Sequence, residues 1–115
     1  MSDQGLSEGR CEPCRGGVAP LERAEALGLL ATLEGWALLE APMRIEKSFR
    51  FADFLAAQAF AVGVGALSEA EGHHPEIRYG WGYCVVGYWT HKINGLHRND
   101  FIMAAKVDRL AAARA

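Results

Sequence analysis

Cysteine is scarce: three residues in a chain of 115, an odd number, do not make a disulfide framework. The first twenty residues hold no apolar run of the kind that forms a secretory signal. No stretch approaches the roughly 18 consecutive apolar residues that a membrane-crossing helix needs. A reducing, soluble compartment is therefore the expectation, and the cytoplasm is its default. Excess charge of one sign is missing too. Twelve Lys and Arg stand against fourteen Asp and Glu, for a net charge of -2, and the basic residues are scattered. Neither a phosphate-tracking face nor a polybasic membrane patch is indicated, so nucleic acid and membrane are not expected partners. There is also no nucleophile elbow, phosphate loop or dinucleotide fingerprint; the cluster Gly80, Gly82 and Gly87 falls within a hairpin, not between a strand and a helix.

What is present is apolar: 50% of the residues are hydrophobic against 23% charged, which excludes general disorder. A chain of this size supports one two-layer domain. Residues 1–20 are rich in Gly, Ser, Pro and charge without periodicity and read as a flexible tail, mobile or loosely docked; the domain spans 21–115. From Leu21 to Leu33, Ala24, Leu27, Leu30 and Ala31 share one helical face, and Gly35 follows as a stop. Trp36 to Glu40 is a short apolar run. From Met43, the residues Met43, Ile45, Phe49 and Phe51 alternate with Arg44, Glu46, Ser48 and Arg50, which predicts a second strand with Lys47 as the odd inward member.

Residues 52–71 return to helical spacing through Phe54, Ala57, Ala61, Val64, Leu67 and Ser68. Gly63 and Gly65 weaken that helix by about 1 kcal/mol each relative to Ala, which suggests close packing against another element. Ile77, Tyr79 and Trp81 then alternate toward a second extended run from Tyr83 to about His91. A last helix over 99–113 buries Met103, Ala104, Val107, Leu110 and Ala111. The order α-β-β-α-β-β-α predicts an α+β fold, a four-stranded antiparallel sheet with three helices on one face.

A hairpin turn centred on Gly82 and Tyr83 would set His74 opposite His91 and Pro75 opposite Thr90. His73, His74 and His91, three of the four histidines, would then crowd one end of the sheet. The exit of the second helix brings Glu69 and Glu71 there, and the entry of the third brings Asp100, where the helix dipole favours a carboxylate able to hold an imidazole N–H. Taken singly, each histidine is an ordinary surface or strand residue; taken together, they suggest acid–base chemistry near neutral pH. A zinc or iron site is the competing arrangement, but adjacent His73 and His74 would need a sharply bent loop to share an ion. Proton transfer without a cofactor points to hydration, dehydration or isomerisation, and Trp81, Tyr88 and Trp89 offer an aromatic wall.

The stretch EAEGHHPEIRYGWGYCVVGYWTHKINGLHRNDF resembles the signature of the pterin-4a-carbinolamine dehydratases, with Glu69, His73, His74, Pro75, Trp81, His91 and Asp100 at the family's intervals. The similarity runs from about Leu21 to Leu110. It implies dehydration of 4a-hydroxytetrahydrobiopterin, produced by aromatic amino acid hydroxylases, to quinonoid dihydropterin in tetrahydrobiopterin recycling, without metal or organic cofactor. It also implies a homodimer formed by edge-strand pairing, with a tetramer as a further step. Carried over residue by residue, His73, His74 and His91 are the catalytic imidazoles, Asp100 orients His91, and Glu69 supports the pair. Pro75, Trp81, Thr90 and Lys92 then belong to substrate binding. The same family fold also serves as a dimerisation cofactor of transcription factors and as a RuBisCO assembly chaperone in carboxysome-bearing bacteria, so a catalytically silent binding protein is the alternative. Two departures stand out. His97 replaces the Ser or Thr that opens the third helix in many relatives, a weaker cap or a residue with its own role. Cys11 and Cys14 form a C-x2-C, half a zinc ribbon, for which a structural or incidental reading is preferred to metal or redox use.

Overall fold

A computed structural model describes residues 5–12 and 18–113. Four strands, β1 (Ala37–Leu39), β2 (Arg44–Arg50), β3 (Glu76–Gly80) and β4 (Tyr83–Tyr88), form one antiparallel sheet in the order β1-β2-β4-β3. Helices α1 (Arg23–Leu30), α2 (Phe54–Glu71) and α3 (Arg98–Ala113) complete the α-β-β-α-β-β-α order expected from the periodicities.

Strand alternation decides what the sheet buries. Ile45, Lys47 and Phe49 on β2 lie level with Tyr88, Val86 and Cys84 on β4, so all six point to one face. Five of them are buried beneath the helices, and Phe60 of α2 packs on Phe49 with ring centroids 4.8 Å apart. Lys47 keeps its inward place by ending in a polar site: its ammonium donates to Asp108 Oδ1 at 2.9 Å and to the Glu34 carbonyl, while Trp36 Nε1 donates to the same carboxylate. The opposite face is polar and carries the Arg44–Glu46 ion pair at 3.0 Å.

Three sequence expectations shift. Helix α1 is shorter than 21–33 because Glu22 and Glu25 form a capping box at Arg23, while the Leu21 amide is drawn to the Leu96 carbonyl at 2.8 Å. Its inward face is accordingly rotated: Ala26 is fully buried, whereas Ala24 and Leu27 are exposed. In α2, Phe60 supplies the core contact and Phe54 is exposed. Close packing also fails to account for Gly65, since a Cβ there would meet no atom within 4 Å. Gly65→Ala is therefore expected to raise the unfolding free energy by about 0.5–1 kcal/mol, measurable by urea denaturation.

The β3–β4 turn is the third difference. Gly80 pairs with Tyr83, so Trp81 and Gly82 make the turn, with Gly82 at φ 80°, a left-handed conformation open to glycine. The pairing therefore slips by two residues from the predicted register, which keeps every side chain on its face but leaves His91 beyond the ladder. Strand β4 ends at Tyr88; Thr90 bridges to Gly95, and His91–Ile93 form a 3-10 turn.

Residues 5–12, expected as part of a flexible tail, make a 3-10 turn (Leu6–Glu8) docked on α3 with Leu6 buried. The absence of periodicity in this segment hid its single apolar anchor. Cys14 lies outside the described residues. Burial, with the Glu71 and Asp100 carboxylates adding to it, pushes the Cys11 thiol up to about 12, which disfavours the thiolate that metal or redox chemistry needs. Among the described residues, no helix is long and apolar enough to cross a membrane.

Candidate active site

Helix termini place the imidazoles. Asp53 caps the start of α2 by accepting from the Ala56 amide at 2.8 Å, and Gly72 ends the helix in a left-handed conformation at φ 69°. The His73 amide then returns to the Ser68 carbonyl at 3.1 Å, which folds the chain back and sends His73 inward toward α3.

Asp100 meets it there, fully buried. Asp100 Oδ1 lies 2.6 Å from His73 Nε2, while Oδ2 accepts from Thr90 Oγ1 at 2.8 Å and from the His97 amide at 2.9 Å. The last bond is half of a reciprocal cap, because His97 Nδ1 accepts from the Asn99 amide at 3.0 Å. The histidine that looked like a weak replacement for Ser or Thr thus does what a hydroxyl would do, and in doing so fixes the carboxylate. The Thr90 hydroxyl and the His97 amide donate to Asp100, which suits a carboxylate; a carboxylate only accepts, so His73 meets it as a donor with its proton on Nε2. In the neutral ring, Nδ1 remains as the basic nitrogen.

His74 repeats the arrangement in solvent. Its Nε2 lies 2.7 Å from Glu69 Oε1, with both side chains exposed, so the contact orients the ring while adding little to stability. His91 stacks on Trp89 with centroids 4.4 Å apart and planes within 5°. Behind the site, Tyr88 Oη shares a 2.7 Å hydrogen bond with Ser68 Oγ, and its ring lies parallel to His73 at 6.1 Å. Burial pushes the Tyr88 hydroxyl far up, so it stays protonated.

A cavity of about 430 Å³ opens between these groups, lined by Gly72, His73, His74, Trp89, Thr90, His91 and Lys92. The three predicted imidazoles thus share one hollow, together with Thr90 and Lys92. Glu69 and Asp100 stand behind two of the rings. Three sequence assignments are revised. Asp100 bonds to His73 and not to His91, because the register slip carries His91 into the 3-10 turn. Trp81 sits in the turn at the far end of β3, 72% exposed, and Pro75 is likewise not among the lining residues. The hydroxyl of Thr90 faces Asp100, which makes it a support of the carboxylate. Sequence reasoning missed the site roles of Ser68 and Asn99 and took His97 for a weaker cap than it is; the helix-start pattern His97-x-x-Asp100 was the available signal. Among the described residues, no three His, Cys, Asp or Glu side chains converge on a point that could hold a metal ion.

Fold and site together define an α+β protein whose helix ends deliver carboxylate-bound imidazoles to a cavity sized for a small heterocycle, an arrangement fitted to general acid–base chemistry. The family model described as pterin 4 alpha carbinolamine dehydratase matches residues 19–110. The chain belongs to that family. It is 56% identical over 107 residues to a Methylococcus capsulatus protein named "Putative pterin-4-alpha-carbinolamine dehydratase", covering 93% of this chain and 94% of that one. A Cupriavidus pinatubonensis protein of the same description is 55% identical over 112 residues, covering 97% and 96%. Among solved structures, a transcriptional coactivator/pterin dehydratase from Brucella melitensis superposes with a TM-score of 0.74 at 32% identity, over 80% of this chain and 98% of that one. A pterin dehydratase-like protein identified as a RuBisCO assembly factor in the alpha-carboxysome gives 0.58 at 29% identity, over 68% and 90%.

Proposed function

We propose that this protein is a hydro-lyase that dehydrates 4a-hydroxytetrahydrobiopterin to quinonoid dihydropterin, in the service of tetrahydrobiopterin recycling. The observation that carries the reading is the shared cavity, in which two imidazoles each have Nε2 bonded to a carboxylate and Nδ1 left for exchange with a guest. A protonated imidazole donates to the 4a-hydroxyl as the C4a–O bond breaks; a neutral one takes the N5 proton, and the freed pair closes the C4a=N5 bond as water leaves. Each positioned transfer contributes about 10² to 10⁴-fold. His73, His74 and His91 are the proton-transferring groups of this proposal. Glu69 and Asp100 hold two of them, Thr90 and Lys92 border the guest, and Trp89 with the stacked His91 gives a flat wall for a bicyclic ring.

No metal or organic cofactor enters the proposed step. The acting form is a homodimer made by edge-strand pairing, since β1 and β3 each leave one side of the sheet open, with a tetramer as a further assembly. The likeness to the RuBisCO assembly factor supports a second reading, a catalytically silent binding protein. Stopped-flow spectroscopy with chemically generated 4a-hydroxytetrahydropterin separates the two: the dehydratase reading expects consumption at least about tenfold above the spontaneous rate. A rate equal to the blank, together with recovery of RuBisCO subunits in a pull-down, would overturn it.

A further inference from the structure

The segment Gly5–Glu12 docks on α3 through Leu6 and is also pinned by polar contacts at two particular places. The Cys11 amide donates to Glu71 Oε1 at 3.1 Å. The Glu12 amide donates to Asn99 Oδ1 at 3.0 Å, and Asn99 Nδ2 returns a bond to the Glu12 carbonyl at 2.7 Å, so the side-chain amide pairs with backbone as a neighbouring strand would. Cys11 Sγ also lies 3.8 Å from the Asn99 carbonyl. Glu71 is the last residue of α2, two before His73; Asn99, itself buried, immediately precedes Asp100. The strap therefore grips both helix ends beside the two partners of the buried pair.

Its outer half is anchored as firmly. Leu6 is 1% exposed, and Gly9 lies so near α3 that a Cβ would sit 3.3 Å from Ile102 Cδ1. Lys106 Nζ donates to the Ser7 carbonyl at 3.1 Å and stands 3.7 Å from Glu71 Oε2, tying strap, α2 and α3 at one point. A short hydrogen bond between two helix termini tolerates little relative displacement, and a misplacement of about 1 Å in a reacting group costs rate steeply. We propose that Gly5–Glu12 is a positioning strap, which holds the ends of α2 and α3 in the relative placement that keeps His73 bonded to Asp100. The inference rests on reading that pair as part of the proton-transferring machinery, with Asn99 acting through Asp100.

Two variants of the full chain test it. Asn99→Ala removes both bonds to Glu12; Glu12→Pro, at an exposed position, removes the Glu12 N–H and fixes the strap backbone there while leaving α3 untouched, so it reads the strap even where Asn99→Ala does not fold. Release of the strap is followed by iodoacetamide labelling of Cys11, located by mass spectrometry. The pair itself is followed by NMR, through exchange of the His73 Nε2 proton with water. We expect faster Cys11 labelling, proton exchange faster by about tenfold, and kcat lower by about 5–10-fold with KM within about twofold. A folded variant whose Cys11 labels freely while proton exchange and kcat stay within about twofold of the parent overturns the strap. An inactive parent defeats the dehydratase reading alone, because the exchange comparison needs no turnover.

Discussion

His74→Ala should lose about 10² to 10⁴-fold in turnover while its melting temperature stays within a degree or two of the parent. The asymmetry follows from exposure. His74 and Glu69 meet in solvent, and an exposed pair is worth roughly 0–1 kcal/mol, so removing the ring costs little in stability. His73→Ala should lose activity on the same scale but also destabilise by about 1–3 kcal/mol, since the fully buried Asp100 would lose one of its three hydrogen-bond partners. Thermal melts and single-turnover rates on both variants separate chemistry from folding. Full turnover in the double variant His73→Ala/His74→Ala would remove these rings from the mechanism.

The sequence made much of this arrangement legible, for reasons that differ by element. Alternation over 43–51 predicted the buried face of β2, including Lys47, because a period of two leaves no other face for Ile45 and Phe49. The pairing of β3 with β4 was visible in type but not in register. Two turns, Gly82–Tyr83 and Trp81–Gly82, are equally compatible with an alternation that is unchanged by a two-residue slip, and a glycine at position 82 suits either; the pairing of Gly80 with Tyr83 decides between them. The pairing of Asp100 with His91 came from the family resemblance, and the structure bonds Asp100 to His73 instead. The hollow was nevertheless expected in the right place, since the exit of α2 and the entry of α3 are fixed by Gly72 and Asp100 whatever the register. That residues 5–12 dock firmly, where a mobile or loosely docked tail was expected, was not legible because the contact depends on one leucine and on side-chain-to-backbone bonds at Glu71 and Asn99, which leave no periodic trace. His97 misled through its type: imidazole is a rare helix cap, yet Nδ1 at 3.0 Å accepts as a hydroxyl oxygen does.

Asp100→Asn tests the tautomer argument with almost no change of shape. The asparagine offers one oxygen and one NH2 group to a site whose three neighbours all donate. The His97 amide can only donate, so the asparagine oxygen must stay on the side shared by His97 and Thr90, and the NH2 group is left facing His73. Nε2 must then accept, which moves the proton of the neutral ring to Nδ1 and leaves no basic nitrogen for the guest. The expected result is a folded protein, destabilised by about 1–3 kcal/mol, with turnover reduced about 10² to 10⁴-fold. Nitrogen NMR of the His73 ring should report the exchanged tautomer in the same sample. Asp100→Asn with the Nε2–H form retained and turnover within about twofold of the parent would mean that Asp100 supports the fold of α3 alone and leaves the chemistry to the exposed His74–Glu69 pair.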